Sequence, residues 1–247
     1  MHYIVFDMEF NQDFSSLQDT VKKWSKYPFE IIQIGAVKLD SDFIRVASFN
    51  RFVKPTIYGK VSSFITELTG ITTEQLVKEQ AFPEVYKHFV EFIRDPDSVF
   101  CIWGMSDIKE LFKNVEYHNL DSKCLPKKYI NIQPYVSKYF GLPTKNLLRL
   151  QNAVEALHIP VIYSFHNAFF DACYTAEILK KINSPSIEPC FYDPSYVPVK
   201  PRQHKREIDY DKLIQQFEKM YARKISKVEQ EMIKLAYHMG KTRQFLK

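Results

Sequence analysis

The stretch Tyr3-Ile4-Val5-Phe6-Asp7-Met8-Glu9-Phe10 decides which fold this sequence can adopt. Its apolar residues predict a strand in the middle of a domain, although the strand carries two carboxylates, Asp7 and Glu9. Side chains at positions i and i+2 of a strand leave the same face, about 6–7 Å apart along the chain. Burying two unpaired carboxylates costs several kcal/mol for each ion unless a cation neutralises them. The pair therefore indicates either a cation site or a strand end whose acids face solvent.

Length and composition indicate a globular protein. The chain has 247 residues, 45% of them hydrophobic and 15% aromatic, which suits one large domain or a domain with a small appendage. We find no run of roughly 20 apolar residues that could cross a bilayer, and the acidic strand begins too early for a signal peptide. The 4 cysteines are widely spaced, as is typical of free thiols in a reducing compartment. We therefore expect a soluble cytoplasmic protein with no membrane partner.

Positive charge is concentrated at the C-terminal end of the sequence. The net charge of +5 divides unevenly, since residues 200–247 carry 13 Lys and Arg against 6 Asp and Glu. A near-neutral body with a basic tail is typical of proteins that bind nucleic acid. Candidate contacts to the phosphate backbone are Lys200, Arg202, Lys205 and Arg206. The same charges would also suit a solvated helical face or a contact with a protein partner.

The spacing of apolar residues predicts an α/β domain. Segments with the character of strands lie at residues 3–10, 29–39, 44–53, 99–103 and 129–132. Helical spacing occurs at residues 62–94, 106–112, 135–140, 146–157 and 167–183. Three strands followed by alternating helices and strands predict a mixed five-stranded sheet flanked by helices.

The composition changes after the last helix of this domain. Residues 184–201 contain five prolines, which predict an extended linker or a strap over the surface, and two amphipathic helices follow. We therefore divide the chain into a sheet domain over residues 1–183, a proline-rich basic linker over 184–206 and a helical extension over 207–247. The polar stretch from Asn11 to Lys26 is either a lid over the substrate or a long loop.

Three further residues place an acid or a base where a core element would otherwise be apolar. Asp107 follows the fourth predicted strand, while His166 and Asp171 flank the start of the last helix of the sheet domain. Taken singly, Asp107 is typical of a helix cap or first turn, and His166 of a surface or cap residue. Four carboxylates that converge on one point need divalent cations, however, and oxygen ligands favour Mg²⁺ or Mn²⁺.

A site with two divalent ions held by carboxylates predicts an enzyme that displaces phosphoryl groups. Two divalent ions about 3.5–4 Å apart stabilise both the attacking and the leaving oxygen of an in-line phosphoryl displacement. A nearby histidine suits the role of base for the attacking water because histidine titrates near neutral pH.

The order and spacing of these residues are similar to those of a known family. Asp7-Met8-Glu9, then Asp107, then His166 and Asp171 with four residues between them resemble the motifs of the DEDDh exonucleases of the RNase H-like (DnaQ-like) superfamily. Further similarity, to the KapD and Eri-type branch, lies in the stretches Phe52–Pro55, Glu67–Thr72, Phe100–Gly104 and Tyr139–Pro143. The resemblance covers residues 1 to about 183 and leaves the tail unexplained. Where these relatives often carry small or basic residues between the His and the Asp, this chain has Phe169 and Phe170, which leaves the width of the substrate channel open.

The resemblance implies a divalent-metal-dependent 3′–5′ exonuclease that releases nucleoside 5′-monophosphates from single-stranded RNA or DNA ends. It implies that Asp7 bridges two Mg²⁺ or Mn²⁺ ions and that Glu9 and Asp171 complete the first site. Asp107 would then support the second site, and His166 would take the proton from the attacking water.

The resemblance also implies a cradle of apolar groups for the terminal nucleotide, because stacking on flat apolar groups tolerates any base. The candidates are Met8, Phe10, Leu68, Ile71 and Trp103. Leu68 and Trp103 would equally suit the core. A second hypothesis for the whole chain is a nuclease-fold scaffold that binds a protein partner or nucleic acid without cutting it, through the basic tail.

Overall fold

The structure is a computed structural model that describes residues 1–12, 29–143, 146–183, 187–196 and 209–241. Most of the predicted lid or loop from Asn11 to Lys26 lies outside the described residues, as does most of the predicted linker over 184–206. The predicted phosphate contacts also lie outside them: Lys200, Arg202, Lys205 and Arg206. The roles given to these segments stay predictions.

The chain forms two compact units, Met1–Tyr196 and Val197–Lys247. The strands of the first unit are β1 (Tyr3–Asn11), β2 (Glu30–Leu39), β3 (Arg45–Phe52), β4 (Val99–Ile102), β5 (Lys128–Asn131) and β6 (Cys190–Phe191). Its helices are α1 (Ser63–Thr69), α2 (Thr73–Leu76), α3 (Phe82–Ile93), α4 (Ser106–Tyr117), α5 (Ile132–Tyr139), α6 (Leu150–Ala156) and α7 (Ala168–Ile182). The second unit contains α8 (Tyr210–Tyr221) and α9 (Lys227–Lys241), so the predicted C-terminal helices are present.

The strands form one mixed sheet in the order β3-β2-β1-β4-β5-β6. β1, β2 and β3 pair antiparallel, whereas β4 and β5 continue from β1 in parallel. The predicted mixed sheet flanked by helices is therefore confirmed, with one strand more than the five expected. The additional strand, β6, pairs Cys190 with Tyr129 and Phe191 with Lys128. Two residues are too few to produce a recognisable alternation in the sequence.

The two faces of β1 contact different layers of the core. Ile4, Phe6 and Met8 belong to the cluster that contains the apolar side of α3, and the Phe6 ring lies 4.7 Å from the ring of Phe100. Val5 lies on the other face, in the cluster that contains the apolar side of α7. Because side chains alternate along a strand, Asp7 and Glu9 share the α7 face of the sheet.

Gly35 of β2 lets the start of α7 approach the sheet closely. In the sheet register Gly35 lies opposite Asp7. A Cβ atom at this position would lie 2.1 Å from the backbone nitrogen of Phe169, far inside van der Waals contact. Only a residue without a side chain permits this approach, so Gly35 determines how near α7 comes to the carboxylates of β1.

The helices and the cysteines bear on two of the predictions from sequence. None of the helices in the described parts of the chain is long and apolar enough to cross a membrane. The four cysteines are all free, with Cys101 buried and Cys124 and Cys190 exposed. This confirms the prediction of unpaired thiols.

Candidate active site

The first turn of α7 is held against β2 by the buried side chain of Gln33. The Gln33 Oε1 atom accepts the backbone N–H of Ala168 at 3.2 Å, and Nε2 donates to Oδ1 of Asn167 at 3.3 Å. Asn167 in turn caps α7, because its Oδ1 accepts the backbone N–H groups of Phe169 and Phe170. The free N–H groups at the start of α7 therefore have hydrogen-bond partners. These bonds fix α7 in the position that Gly35 permits.

This arrangement brings three carboxylates together. Asp7 and Glu9 from β1 and Asp171 from the first turn of α7 each offer an oxygen atom, and these atoms all lie within 4.8 Å of one another. Asp171 is buried, and its Oδ2 accepts the backbone N–H of His166 at 3.1 Å. Its Oδ1 is also buried and has no hydrogen-bond partner among the residues that the structure describes. An unpaired buried carboxylate oxygen beside two other carboxylates fits a hard cation such as Mg²⁺ or Mn²⁺.

Asp107 enters the same site from the opposite layer. It lies in the first turn of α4, is buried, and accepts the backbone N–H of Met8 through Oδ1 at 3.3 Å. Asp107 is therefore a first-turn acid of α4, as the alternative interpretation predicted. Its side chain, however, accepts a hydrogen bond from the backbone of the acidic strand β1. Asp107 does not belong to the group of three carboxylates within 4.8 Å. Its negative charge nevertheless raises the pKa of Asp7 and of Glu9.

The carboxyl groups of the site resist ionisation when no cation is bound. Burial, followed by repulsion from Asp171 and Asp107, raises the pKa of Glu9 to about 8. Burial raises the pKa of Asp107 to about 7 and that of Asp171 to about 6. Burial and the three neighbouring acids also raise the pKa of Asp7 well above its ordinary value. A bound divalent cation would reverse this, because an opposite charge nearby favours the ionised form.

His166 lies on the exposed loop directly before α7. Its backbone has a φ of 64°, a left-handed conformation that non-glycine residues rarely adopt and that costs on the order of 1 kcal/mol or more. The hydrogen bond from its N–H to Asp171 holds the loop in this conformation. His166 is exposed, so its backbone is tied to the carboxylate cluster while its side chain is accessible to solvent.

The five residues predicted to cradle a nucleotide lie in different environments. The side chains of Met8 and Ile71 are buried in two separate core clusters, and Met8 points to the face opposite the carboxylates. Phe10 is partly buried, with its ring 6.3 Å from that of Phe29. Trp103 is partly buried against the core, which is the alternative role considered for it above. Its buried Nε1 has no hydrogen-bond partner within the described parts of the chain. Leu68 is 42% exposed on α1, so it is accessible to a ligand.

Sequence reasoning did not identify Gln33, Gly35 and Asn167 as residues that build the site. One signal was available for Gln33, since a lone amide interrupts the apolar run Ile31-Ile32-Gln33-Ile34. A buried polar side chain requires a partner, but the sequence does not show that this partner is the start of α7.

The chain is similar in sequence to known nucleases. The family described as Exonuclease (RNase_T) matches residues 4–179. The 3′-5′ exoribonuclease 1 of Mus musculus is 28% identical over 129 residues, which are 48% of this chain and 37% of that protein. ERI1 exoribonuclease 3 of Homo sapiens is 27% identical over 173 residues, which are 66% of this chain and 50% of that protein. The chain therefore spans at most about half the length of these curated relatives.

One solved structure shows the similarity of the fold. It is titled as the nuclease domain of 3′hExo, a DEDDh family member, bound to rAMP. It has a TM-score of 0.65 to this chain at 21% identity, and the match covers 78% of this chain and 96% of that domain. The predicted RNase H-like exonuclease fold is thereby confirmed.

Proposed function

The chain belongs to the exonuclease family that matches residues 4–179, and from this premise we propose that it is a divalent-metal-dependent 3′–5′ exonuclease. It would release nucleoside 5′-monophosphates stepwise from single-stranded RNA or DNA ends. The observation that carries the proposal is the convergence of Asp7, Glu9 and Asp171 within 4.8 Å. The unpaired buried Oδ1 of Asp171 supports it, because such an oxygen is costly to bury without a partner.

The donor set of the site suits two Mg²⁺ or Mn²⁺ ions. Asp7, Glu9 and Asp171 would hold the first, and Asp7 with Asp107 would hold the second. When bound, the ions would stabilise the charge that develops on the attacking and leaving oxygens of the phosphodiester. Carboxylates that keep their protons at neutral pH in the free protein would lose them on binding.

His166 would act as the general base in this reaction. Its imidazole would take a proton from the water that attacks the phosphorus, and the departing 3′ oxygen of the upstream nucleotide would take a proton from solvent. The hydrogen bond between the His166 N–H and Asp171 would keep the loop in register with the carboxylates. Exposure of the residue would allow the proton to pass on to bulk water between turnovers.

Leu68 is the cradle candidate that the burial pattern favours for the terminal nucleotide. Glu30 holds the loop before α1, since its carboxylate accepts the backbone N–H groups of Thr56, Ile57 and Tyr58. Asn11, at the end of β1, accepts the N–H of Ser62, the residue that caps α1. These contacts would pre-organise α1 beside the end of the acidic strand and so lower the entropic cost of holding a nucleotide.

The basic tail and the cellular location complete the proposal. Residues 200–247 would track the phosphate backbone or bind a protein partner, as their charge predicts. We propose a cytoplasmic location because exposed free thiols such as Cys124 and Cys190 persist in a reducing compartment.

A single set of assays tests the proposed activity. Matched RNA and DNA oligonucleotides, single- and double-stranded and labelled at the 5′ end, are incubated with Mg²⁺, Mn²⁺ or EDTA. We expect a labelled ladder that shortens from the 3′ end, unlabelled nucleoside 5′-monophosphates detected by chromatography, and no reaction in EDTA or with Asp7→Ala. Glu116→Gln, a charge removed from an exposed position on α4, is the matched control and should retain full activity.

The same oligonucleotides, followed for binding as well as for cleavage, separate the proposal from the scaffold hypothesis. Absence of 3′ release from every oligonucleotide under every metal condition would refute the exonuclease. Retained binding without cleavage would instead support a nuclease-fold scaffold.

A further inference from the structure

The loop that connects α6 to α7 exposes a run of apolar side chains shortly before His166 and Asp171 in the sequence. Val161 is 54% exposed, Ile162 73% and Tyr163 45%. Exposed apolar residues that are adjacent in a loop mark a binding surface more often than scattered ones do. This run ends three residues before His166, whose backbone N–H is bonded to Asp171 of the site.

Tyr163 is part of a continuous row of rings that reaches α7. Its ring lies parallel to that of Phe170, with centroids 4.3 Å apart and an angle of 6° between the planes. Phe169 follows, with its ring centroid 6.0 Å from that of Phe170. The guanidinium of Arg45 lies over the Phe169 ring at 5.3 Å. The row therefore joins an exposed tyrosine to a cation through two phenylalanines.

The loop is held firmly, so the row is presented in one arrangement. The hydroxyl of Tyr174, a buried residue of α7, accepts the backbone N–H groups of Ile162 at 3.1 Å and Tyr163 at 2.8 Å. The same hydroxyl donates to the carbonyl of Tyr163 at 2.8 Å. The ring of Phe165 stacks on the ring of Tyr174, with centroids 4.9 Å apart. A surface fixed before binding loses little entropy when a ligand contacts it.

The covalent chain joins this surface to the catalytic residues. Phe170 directly precedes Asp171, and Asp171 accepts the N–H of His166. Phe169 and Phe170 therefore lie within one turn of α7 from Asp171, and the ring of Tyr163 stacks on that of Phe170. Tyr163 and Phe170 are therefore candidates to contact a nucleic-acid strand whose end reaches the carboxylates.

We propose that Tyr163 and Phe170 form a stacking platform for a base of single-stranded nucleic acid upstream of the bond that is cut. The inference rests on the proposed exonuclease function and adds a contact to it. A flat aromatic pair suits any base, because every base has a π-face. Arg45, exposed at the end of the row, supplies a positive charge of the sign that a phosphate of the same strand requires. This complementarity favours a nucleic acid over a protein segment.

The test compares a substrate that has an upstream base with one that lacks it. The first is a labelled 12-nucleotide single strand, and the second is the p-nitrophenyl ester of thymidine 5′-monophosphate. We expect Tyr163→Ala to lower the ratio of kcat/KM for the oligonucleotide to kcat/KM for the ester about tenfold. Tyr163→Phe keeps the ring and should keep the ratio. Ile162→Ala, which removes a more exposed but non-aromatic side chain, is the matched control.

The outcomes distinguish this inference from the function on which it rests. Wild-type protein that hydrolyses neither substrate would overturn the exonuclease proposal, and fluorescence anisotropy with the labelled strand in EDTA would then test the platform directly. Unchanged binding by Tyr163→Ala, an unchanged ratio, or an equal loss in Ile162→Ala would overturn the platform. A dimer in sedimentation experiments that Tyr163→Ala dissolves would assign the surface to a second copy of the chain and would also overturn it.

Discussion

Gly35→Ala should damage the site through backbone geometry alone, because this change adds one methyl group and touches no proposed ligand. The new Cβ atom would lie 2.1 Å from the Phe169 nitrogen, whereas Cβ atoms essentially never approach other atoms closer than 3.0 Å. The start of α7 must therefore move away from β2 by about 1 Å. Asp171 lies in that first turn, so it would move away from Asp7 and Glu9.

The size of the effect follows from the overlap. Overpacking of this kind costs about 1–3 kcal/mol, which lowers the Tm of a domain of this size by roughly 2–12 °C. A displacement of about 1 Å in a catalytic group reduces the rate on the order of 10²-fold. The rise in Tm on adding Mn²⁺ should also shrink, because the displaced Asp171 would bind the ion less well.

The assay measures the metal-dependent release of mononucleotides together with thermal melting in Mn²⁺ and in EDTA. Ser48→Thr adds a methyl group at an exposed position of β3 and serves as the matched control, which should retain its activity and Tm. A Gly35→Ala protein with wild-type activity and a wild-type response to Mn²⁺ would refute the role assigned to the contact between β2 and α7.

Three further predictions concern the charge and the support of the site. Burial raises the pKa of Glu9 to about 8 and that of Asp107 to about 7, so between about pH 4 and pH 8 the folded, metal-free protein binds more protons than the unfolded chain. Its Tm in EDTA should therefore fall as the pH rises from 5 to 8, and a Tm that is constant or rising would contradict these pKa shifts. Asp171→Asn removes one of the repelling charges and should melt at or above the wild-type temperature in EDTA at pH 8, yet lose most of the Mn²⁺-induced rise in Tm; a full rise would exclude Asp171 as a ligand. Gln33→Leu leaves the Ala168 N–H unpaired in the core and should cost about 1–3 kcal/mol of stability with a parallel loss of activity, whereas Gln151→Leu on the exposed side of α6 should change neither quantity.

Several elements of the fold could be predicted because their signals are local. β1, β2 and β3 alternate or run apolar over 8 to 10 residues each, which is long enough to set the period of a strand. β6 has only two residues and forms because Lys128 and Tyr129 lie beside it in space. A pairing between residues so far apart in the chain has no signature in either segment.

The nucleotide-cradle candidates show the same limit. Apolar character alone does not separate Met8 and Ile71, which are buried, from Leu68, which is exposed. The difference depends on which elements pack over each residue. The row that runs from the ring of Tyr163 to the guanidinium of Arg45 likewise depends on tertiary packing. Arg45 belongs to β3, whereas the rings belong to α7 and the loop before it.

By itself, the sequence determined that two carboxylates share one face of a core strand and that Asp107, His166 and Asp171 follow in the order of an exonuclease family. Those are properties of residue type and of spacing along the chain. Because side chains alternate between the two faces of a strand, Asp7 and Glu9 must share one face. Only the tertiary structure decided that Asp171 joins Asp7 and Glu9 within 4.8 Å while Asp107 bonds to the backbone of Met8. The physical reason is that convergence depends on the close contact at Gly35 and on the hydrogen bonds of Gln33. Both join residues more than 130 positions apart.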